Sequence, residues 1–184
     1  MVVQKSKKIL TENLAKEMRS PQVKNIIIRG ILLLVPLLYL SYIQFEFRPF
    51  QELLFFQTLL ILKLTGLQFQ AFGYMIITPA FSSFISFDCT AWRQLYIYFA
   101  LVLLPPGISW SKRLWGLSLL FPLYIYNALR VVFSIWVGAI NYEWFKPVHW
   151  FLWEFFFLVL IYIFWRIWFE WAKKPETAKK TGRK

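Results

Sequence analysis

The chain has 184 residues, of which 59% are hydrophobic and 21% aromatic, and its net charge is +12. This composition is too apolar for a water-soluble domain of this length. The chain has one cysteine, which excludes an intramolecular disulfide, and its single histidine leaves no Cys/His cluster with metal-ligand spacing. Composition therefore favours a polytopic membrane protein with one compact domain and no metal or other cofactor.

The positive charge is concentrated at the two ends of the chain, in residues 1–29 and 166–184. Basic residues that flank apolar segments are typical of the cytoplasmic side of membrane proteins, and this pattern is favoured over nucleic-acid binding. We therefore expect a basic cytoplasmic segment at 1–25, a membrane-embedded helical domain at 26–172 and a basic cytoplasmic tail at 173–184.

Long apolar segments predict four membrane helices along the chain. The first contains Pro36, which a membrane helix tolerates where neighbours satisfy the freed carbonyl group. It ends without a small-x-small cleavage site, so we expect it to be retained as an anchor. The second ends at Pro105-Pro106-Gly107, a strong helix terminator. The predicted spans are 26–45, 89–105, 112–139 and 149–171.

Two further segments precede the second predicted span. Residues 50–64 are apolar but short and interrupted by polar side chains, which predicts a helix lying on the membrane surface, with partial crossing left open. Residues 66–88 contain Gly, Pro and Ser and predict a loop or re-entrant segment. The fold class is thus all-α: a polytopic bundle of about four to six transmembrane or interfacial helices in the cell membrane. Lys112 and Arg113 predict that loop 106–113 lies in the cytoplasm with both termini.

Three chemically distinctive residues are predicted to lie at one depth. Cys89, Arg130 and His149 are each separated by 16 or 17 residues from Pro105, Arg113 or Arg166, respectively, at the cytoplasmic side. At about 1.5 Å per residue this is about 25 Å. In a hydrocarbon core about 30 Å thick, all three would lie near the outer boundary.

Cys89 is predicted at the start of a helix, where free backbone N–H groups favour a thiolate. Its neighbours Asp88 and Thr90 are polar, which argues against a position facing lipid. Arg93, four residues on, would share its helical face and bring a positive charge near the sulfur. The alternatives are an inert, packed cysteine and an arginine that reaches the lipid headgroups.

Arg130 lies within an apolar segment, where a charged residue usually faces a polar interior. Asn127, three residues earlier, would share its face and orient the guanidinium. The alternative is a structural arginine paired with Glu154 or Asp88. His149 follows Pro147 at a predicted helix start and is either an acid/base group or an interfacial histidine.

These motifs resemble the exosortase/archaeosortase family of membrane-embedded cysteine transpeptidases. The resemblance covers about residues 66–160 and is carried by Asp88-Cys89-Thr90-Ala91-Trp92, by Asn127-Ala128-Leu129-Arg130, and by His149. Ala91 stands where many members carry a glycine, and the chain is shorter than the larger, eight-span members.

The resemblance implies Cys89 as nucleophile, Arg130 as stabiliser of the transition state or thiolate, and His149 as acid/base. It also implies substrate proteins with a C-terminal motif, a transmembrane helix and a basic tail. They would be cut near the outer membrane face and passed to an acceptor such as a lipid.

Two non-enzymatic functions remain as alternatives. In a non-enzymatic assembly factor, Arg130 would pair with an acidic residue of a partner. In a small transporter, Arg130 would line a polar path, although the chain shows no second half that repeats the first.

Overall fold

The computed structural model describes residues 21–174, so most of the predicted basic segments 1–25 and 173–184 lies outside the described residues. The chain forms two compact units. One consists of Met1–Glu46 with Leu103–Gly107, and its described part is mainly the helix Pro21–Tyr42. The other consists of Phe47–Val102 with Ile108–Lys184 and holds all three of the predicted site residues Cys89, Arg130 and His149.

The described part of the chain is mostly helical, as predicted. A 3-10 turn at Phe87–Thr90 precedes the helix Trp92–Leu103. A π-helical segment at Phe151–Phe156 joins the helices Tyr142–Trp150 and Phe157–Ala172. The helices are α1 (Pro21–Tyr42), α2 (Arg48–Leu64), α3 (Trp92–Leu103), α4 (Trp110–Ser118), α5 (Leu120–Ile140), α6 (Tyr142–Trp150) and α7 (Phe157–Ala172).

Three helical stretches among residues 21–174 are long and apolar enough to cross a membrane, whereas four spans were predicted. They are Val23–Tyr42, Trp110–Ile140 and Tyr142–Ala172. The predicted span 89–105 forms only the 12-residue helix α3. A helix of that length extends about 18 Å, less than the hydrocarbon core. The first residues of the predicted span, Cys89 and Thr90, belong to the 3-10 turn instead.

The segment predicted as a loop or re-entrant segment contains a small antiparallel sheet, which corrects the expectation for residues 66–88. Its strands run in the order β1 (Gln70–Phe72), β2 (Met75–Ile77) and β3 (Ser82–Phe84). Gly73 supplies a positive φ of 56° at the β1–β2 turn, which glycine adopts without steric cost. Strands of three residues are too short to produce a recognisable alternating pattern among so many turn-forming residues.

Residues 50–64 are helical, as expected, within α2. Pro49 lies in the first turn of this helix, where its missing N–H has no helical partner to lose. One face of α2 is buried at helical spacing. That face consists of Gln51, Leu54, Phe55, Thr58 and Leu62.

Helix α5 is the central element of the larger unit and contributes to two hydrophobic cores. The first core joins α2, the sheet and the second half of α5, as shown by Leu54, Ile76 and Val131. The second joins α3, the start of α5 and α7, as shown by Tyr98, Leu123 and Trp168. Cys89 packs against the first core and Ala91 belongs to the second. The cysteine turn therefore lies where the two cores meet.

The start of α4 ties together the C-terminal ends of two other helices. Arg113 donates from Nη1 to the carbonyl oxygen of Val102 in α3 (2.8 Å), and Lys112 donates from Nζ to that of Ala172 in α7 (2.9 Å). Cations stabilise helix C-termini because the last carbonyl groups have no partners within the helix. Arg113 is therefore buried rather than part of a solvated loop.

Candidate active site

Cys89 lies in the 3-10 turn three residues before α3, not at the first turn of an α-helix as predicted. Thr90 stabilises this turn, because its hydroxyl donates to the carbonyl oxygen of Phe87 at 2.7 Å. Ala91 follows in the left-handed conformation, with φ 55° and ψ 30°. A left-handed residue cannot continue a right-handed helix, and for a residue other than glycine this conformation also carries a steric cost. The α-helix therefore begins only at Trp92.

Two side chains of α5 converge on the backbone of Cys89. Asn127 donates from Nδ2 to the Cys89 carbonyl oxygen at 2.9 Å, and Arg130 donates from Nη2 to the same oxygen at 3.2 Å. Their spacing of three residues places both on one face of the helix, as predicted. The expected contact of Asn127 with the guanidinium is replaced by this shared acceptor.

The guanidinium of Arg130 has unused hydrogen-bonding capacity. The residue is only 2% exposed, yet its Nε and Nη1 find no hydrogen-bond partner among residues 21–174. The Oδ1 atom of Asn127 is unpartnered in the same part of the chain. A buried donor without a partner costs about 1–3 kcal/mol, and more when it is charged. The geometry thus leaves a site for an anionic or strongly polar group.

No carboxylate neutralises Arg130 within the described residues. Asp88, one of the two acids considered as its partner, pairs with Arg93 at 3.1 Å, and both side chains are about half exposed. Glu154, the other, forms no ion pair in that part of the chain. Arg93 also lies over the ring of Trp92. It belongs to α3 and does not share a helical face with Cys89, which corrects that expectation.

His149 does not open a helix, because the helical stretch begins at Tyr142 and includes Pro147 in α6. Asn141 caps this helix by accepting from the backbone N–H of Glu143 at 2.9 Å, the favoured role of asparagine at that position. The His149 ring stacks on Phe145 and contacts Trp153, with ring centroids 5.5 and 5.8 Å apart.

Trp153 connects His149 to the arginine. The Arg130 guanidinium carbon lies 5.7 Å from the Trp153 ring centroid, a cation–π distance. The Nδ1 atom of His149 and the Nε1 atom of Trp153 have no partners among the described residues. Trp153 lies in the π-helical segment, a geometry frequent at functional sites, and the carbonyl oxygen of Leu152 there accepts from the Tyr126 hydroxyl at 3.0 Å.

The structure thus brings Cys89, Asn127 and Arg130 into direct contact, and both Arg130 and His149 lie against the ring of Trp153. Within residues 21–174, the imidazole makes no hydrogen bond to the thiol. The thiol contacts Ser86, whose Oγ lies 3.5 Å from Sγ.

Ser86 and Trp153 were not predicted from the sequence. Helical spacing could have indicated Trp153, since it follows His149 by four residues and so shares its face. Ser86 precedes Cys89 by three residues, but only the 3-10 turn brings the two side chains together. In the described part of the chain, no three His, Cys, Asp or Glu side chains cluster in a way that could hold a metal ion.

Comparisons with models of known protein families, with characterised proteins and with solved structures find no match to this chain.

Proposed function

We propose that this chain is a membrane-embedded cysteine peptidase or transpeptidase of the exosortase/archaeosortase type. In this proposal it cuts a C-terminal sorting signal of exported proteins near the outer membrane face and transfers the new carboxyl end to an acceptor such as a lipid. The observation that carries the proposal is the buried Arg130 guanidinium beside the Cys89 turn, with two nitrogens that lack partners in the described residues.

The first chemical step is the attack of the Cys89 sulfur on the substrate. The Cys89 thiolate attacks the scissile carbonyl carbon, and His149 takes the thiol proton as general base. The negative charge then develops on the carbonyl oxygen, where the unpartnered N–H groups of Arg130 stabilise it in a water-poor site. The C–N bond breaks, His149 returns the proton to the leaving amine, and a thioester remains on Cys89.

An acceptor amine or hydroxyl completes the reaction. It attacks the thioester carbon while His149 accepts its proton, and the sulfur leaves as the Cys89 thiolate. Arg130 has two tasks in this scheme: one N–H group holds the Cys89 backbone and the others face the oxyanion. The scheme also requires the imidazole and the thiol to approach when substrate binds, as catalytic contacts often tighten only in that complex.

Exposed aromatic residues support a membrane position for this site. Trp115 and Trp136 are both exposed and are 21 residues apart in the stretch Trp110–Ile140, about 32 Å along a helix. This matches the hydrocarbon core, whose boundaries favour tryptophan. Arg130 would lie about 9 Å inside the boundary near Trp136. The basic end, with Lys112 and Arg113, would face the cytoplasm.

The direct test compares the C-termini of exported proteins in host cells that carry the wild type or Cys89→Ala. We expect a set of proteins to lose a C-terminal segment only with the wild type. We also expect a covalent adduct on Cys89 that hydroxylamine releases, as it does a thioester. Ser118→Ala is the control for expression, because Ser118 is exposed and its hydroxyl donates to the Trp115 carbonyl oxygen of its own helix. Normal processing in Cys89→Ala cells would reject the proposal.

A second experiment measures the reactivity of the thiol. A membrane-impermeant maleimide is applied to intact cells that express the wild type, Arg130→Ala or His149→Ala. We expect labelling of Cys89 from outside and a slower reaction at neutral pH in both variants, because each loses a group that favours the thiolate. Labelling only after the cytoplasmic face is opened would contradict the proposed orientation.

The assembly-factor function remains the second candidate, because the guanidinium N–H groups without partners in the described residues could also donate to the carboxylate of a partner protein. This candidate predicts the opposite response to substitution. Cys89→Ser would be without effect, whereas Arg130→Ala would release the partner.

A further inference from the structure

One face of the three-stranded sheet packs on the core through Ile76, and the other carries a row of large, exposed apolar side chains beside the polar Gln70 and Ser82. The cross-strand register aligns Phe72 with Met75 and Met75 with Phe84. These three side chains form a single row, which we call the Phe72–Met75–Phe84 row. They are 81%, 38% and 58% exposed. Ile76, on the opposite face, is completely buried in the core with α2 and α5.

The segment that contains the sheet carries no charge. Between Lys63 and Asp88 the sequence has no Lys, Arg, Asp or Glu. A small sheet that meets water normally carries charged side chains, lysine above all, because these prevent its edges from pairing with other chains. An uncharged sheet with an exposed row of large apolar side chains does not suit an aqueous surface.

The sheet is attached to the end of α5 that follows the candidate site. Phe81, in the β2–β3 loop, packs so closely on Gly138 that a Cβ there would lie 2.6 Å from its ring. Phe81 also contacts the rings of Phe145 and Tyr142. Tyr142 and the nearby Trp144 are more than 60% exposed. Exposed Tyr and Trp at the junction of two long apolar helices are typical of the membrane–water interface.

We propose that the Phe72–Met75–Phe84 row inserts into the lipid bilayer, so that the sheet is a membrane-embedded element beside the outer ends of α5 and α6. Phe81, which joins β2 to β3, fixes the sheet against α5 and α6 next to their exposed aromatic side chains. The backbone groups of the central strand are paired on both sides, whereas β1 and β3 each have an open edge that does not enter hydrocarbon. Insertion is therefore confined to the three side chains, and the backbone of the sheet stays at the level of the headgroups. The occupant of this face is therefore lipid rather than water, a second copy or a soluble partner.

This inference does not depend on the proposed enzymatic activity, and its test uses no substrate. A nitroxide is attached to Phe72→Cys or Phe84→Cys in the full chain, each in a Cys89→Ser background. The protein is placed in nanodiscs of phosphatidylcholine and phosphatidylglycerol. Relaxation of each label by oxygen, which concentrates in lipid, is compared with relaxation by a water-soluble nickel chelate.

Two reference positions calibrate the measurement. Leu158→Cys reports lipid, since Leu158 is 53% exposed in the apolar helix α7, and Lys174→Cys reports water. Ser83→Cys is the matched control within β3, because its neighbour across the register is the buried Ile76.

We expect the ratio of oxygen to chelate relaxation at both row positions to exceed that at Lys174 several-fold and to be lower than that at Leu158, which lies 16 residues beyond Tyr142 in the same helical stretch. The label at Ser83 should be shielded from both reagents. A ratio like that of Lys174 would show a face in water and overturn the proposal. Low access of both reagents to the row would show a protein partner or a second copy and would also overturn it. Lipid exposure at Ser83 equal to that at Phe84 would reject the assignment of the inserted face.

Discussion

Two buried arginines lie 17 positions apart in the stretch Trp110–Ile140 and differ in how their N–H groups are satisfied. Arg113 is 5% exposed and donates from Nη1 to the Val102 carbonyl oxygen and from Nε to that of Ile108. Arg130 is 2% exposed and donates from Nη2 to one carbonyl oxygen, with its other two nitrogens unpartnered among residues 21–174. Arg113 donates to a carbonyl oxygen at a helix end, whereas Arg130 has N–H donors without partners in the described residues.

From this difference we predict a structural role for Arg113 and a functional role for Arg130. Carbonyl groups at helix ends need donors, so Arg113 meets a requirement of the fold. Arg130 meets only part of such a requirement, and its remaining donors raise the energy of the folded state until an anionic group binds. We therefore expect substitutions of Arg113 to act on stability and substitutions of Arg130 to act on function.

The largest expected effect is on activity. Arg130→Gln should lower the rate of processing by about 10²–10³-fold, because an oxyanion loses a preorganised charged donor. The thermal unfolding midpoint of this variant in detergent should change little, because the substitution removes a buried charge that no carboxylate of the described residues neutralises. Arg166→Gln is the matched control, as Arg166 forms only an exposed pair with Glu170. Full processing by Arg130→Gln would remove the distinction between the two arginines.

The reverse pattern is expected at the other arginine. Arg113→Gln should lower the free energy of unfolding by about 2–4 kcal/mol, because one buried and one partly buried carbonyl oxygen lose their charged donor. Thermal and denaturant unfolding in detergent measures this loss. Protein that remains folded below its midpoint should still process substrate. An unchanged midpoint would mean that the helix ends do not depend on this residue.

Close packing at the same end provides a third test. A Cβ added to Gly116 would lie 2.5 Å from Nε1 of Trp168, an indole that donates to the Lys112 carbonyl oxygen at 2.8 Å. Gly116→Ala should therefore cost about 1–3 kcal/mol of unfolding free energy. Gly30→Ala is the control, because its Cβ would meet Leu104 at an ordinary 3.8 Å. Equal stability of the two variants would contradict the close packing of Trp168.

The smallest effect is expected at the turn beside Cys89. Ala91→Gly should raise the unfolding free energy by less than about 1 kcal/mol, because relief of the left-handed conformation is partly offset by loss of a buried methyl group. Ala91→Val should lower it, since a branched side chain fits this conformation poorly. Thermal unfolding compares the two variants. Greater stability of the valine variant would show that φ at Ala91 is not positive.

Much of the architecture was predictable because apolar length is a local property. The first, third and fourth predicted spans correspond to helical stretches of the structure, and Pro36 lies within α1. The helix at 50–64 was also predicted correctly. The second span was wrong, since the left-handed Ala91 separates the Cys89 turn from α3. The sheet was missed, because strands of three residues depend on partners that local sequence does not reveal.

The site residues were chosen from chemistry that the sequence displays: one cysteine, one histidine and one arginine in a long apolar segment. The spacing of Asn127 and Arg130 placed both on one helical face. Contact of that face with Cys89 could not be read from the chain, because it joins residues 38 and 41 positions apart. The position of His149 was wrong for a local reason, since its helix begins at the Asn141 cap and continues through Pro147.

By itself, the sequence determined that the chain is apolar enough for membrane helices, which residues bear reactive or charged groups, and which of them share a helical face. These properties depend on composition and on helical periodicity, both of which are local. Only the tertiary structure decided that Asn127 and Arg130 meet at the Cys89 carbonyl oxygen, that Arg130 and His149 both contact Trp153, and that Arg113 donates to a carbonyl oxygen at a helix end. Such outcomes depend on packing between distant segments, which leaves some buried N–H groups paired and others available.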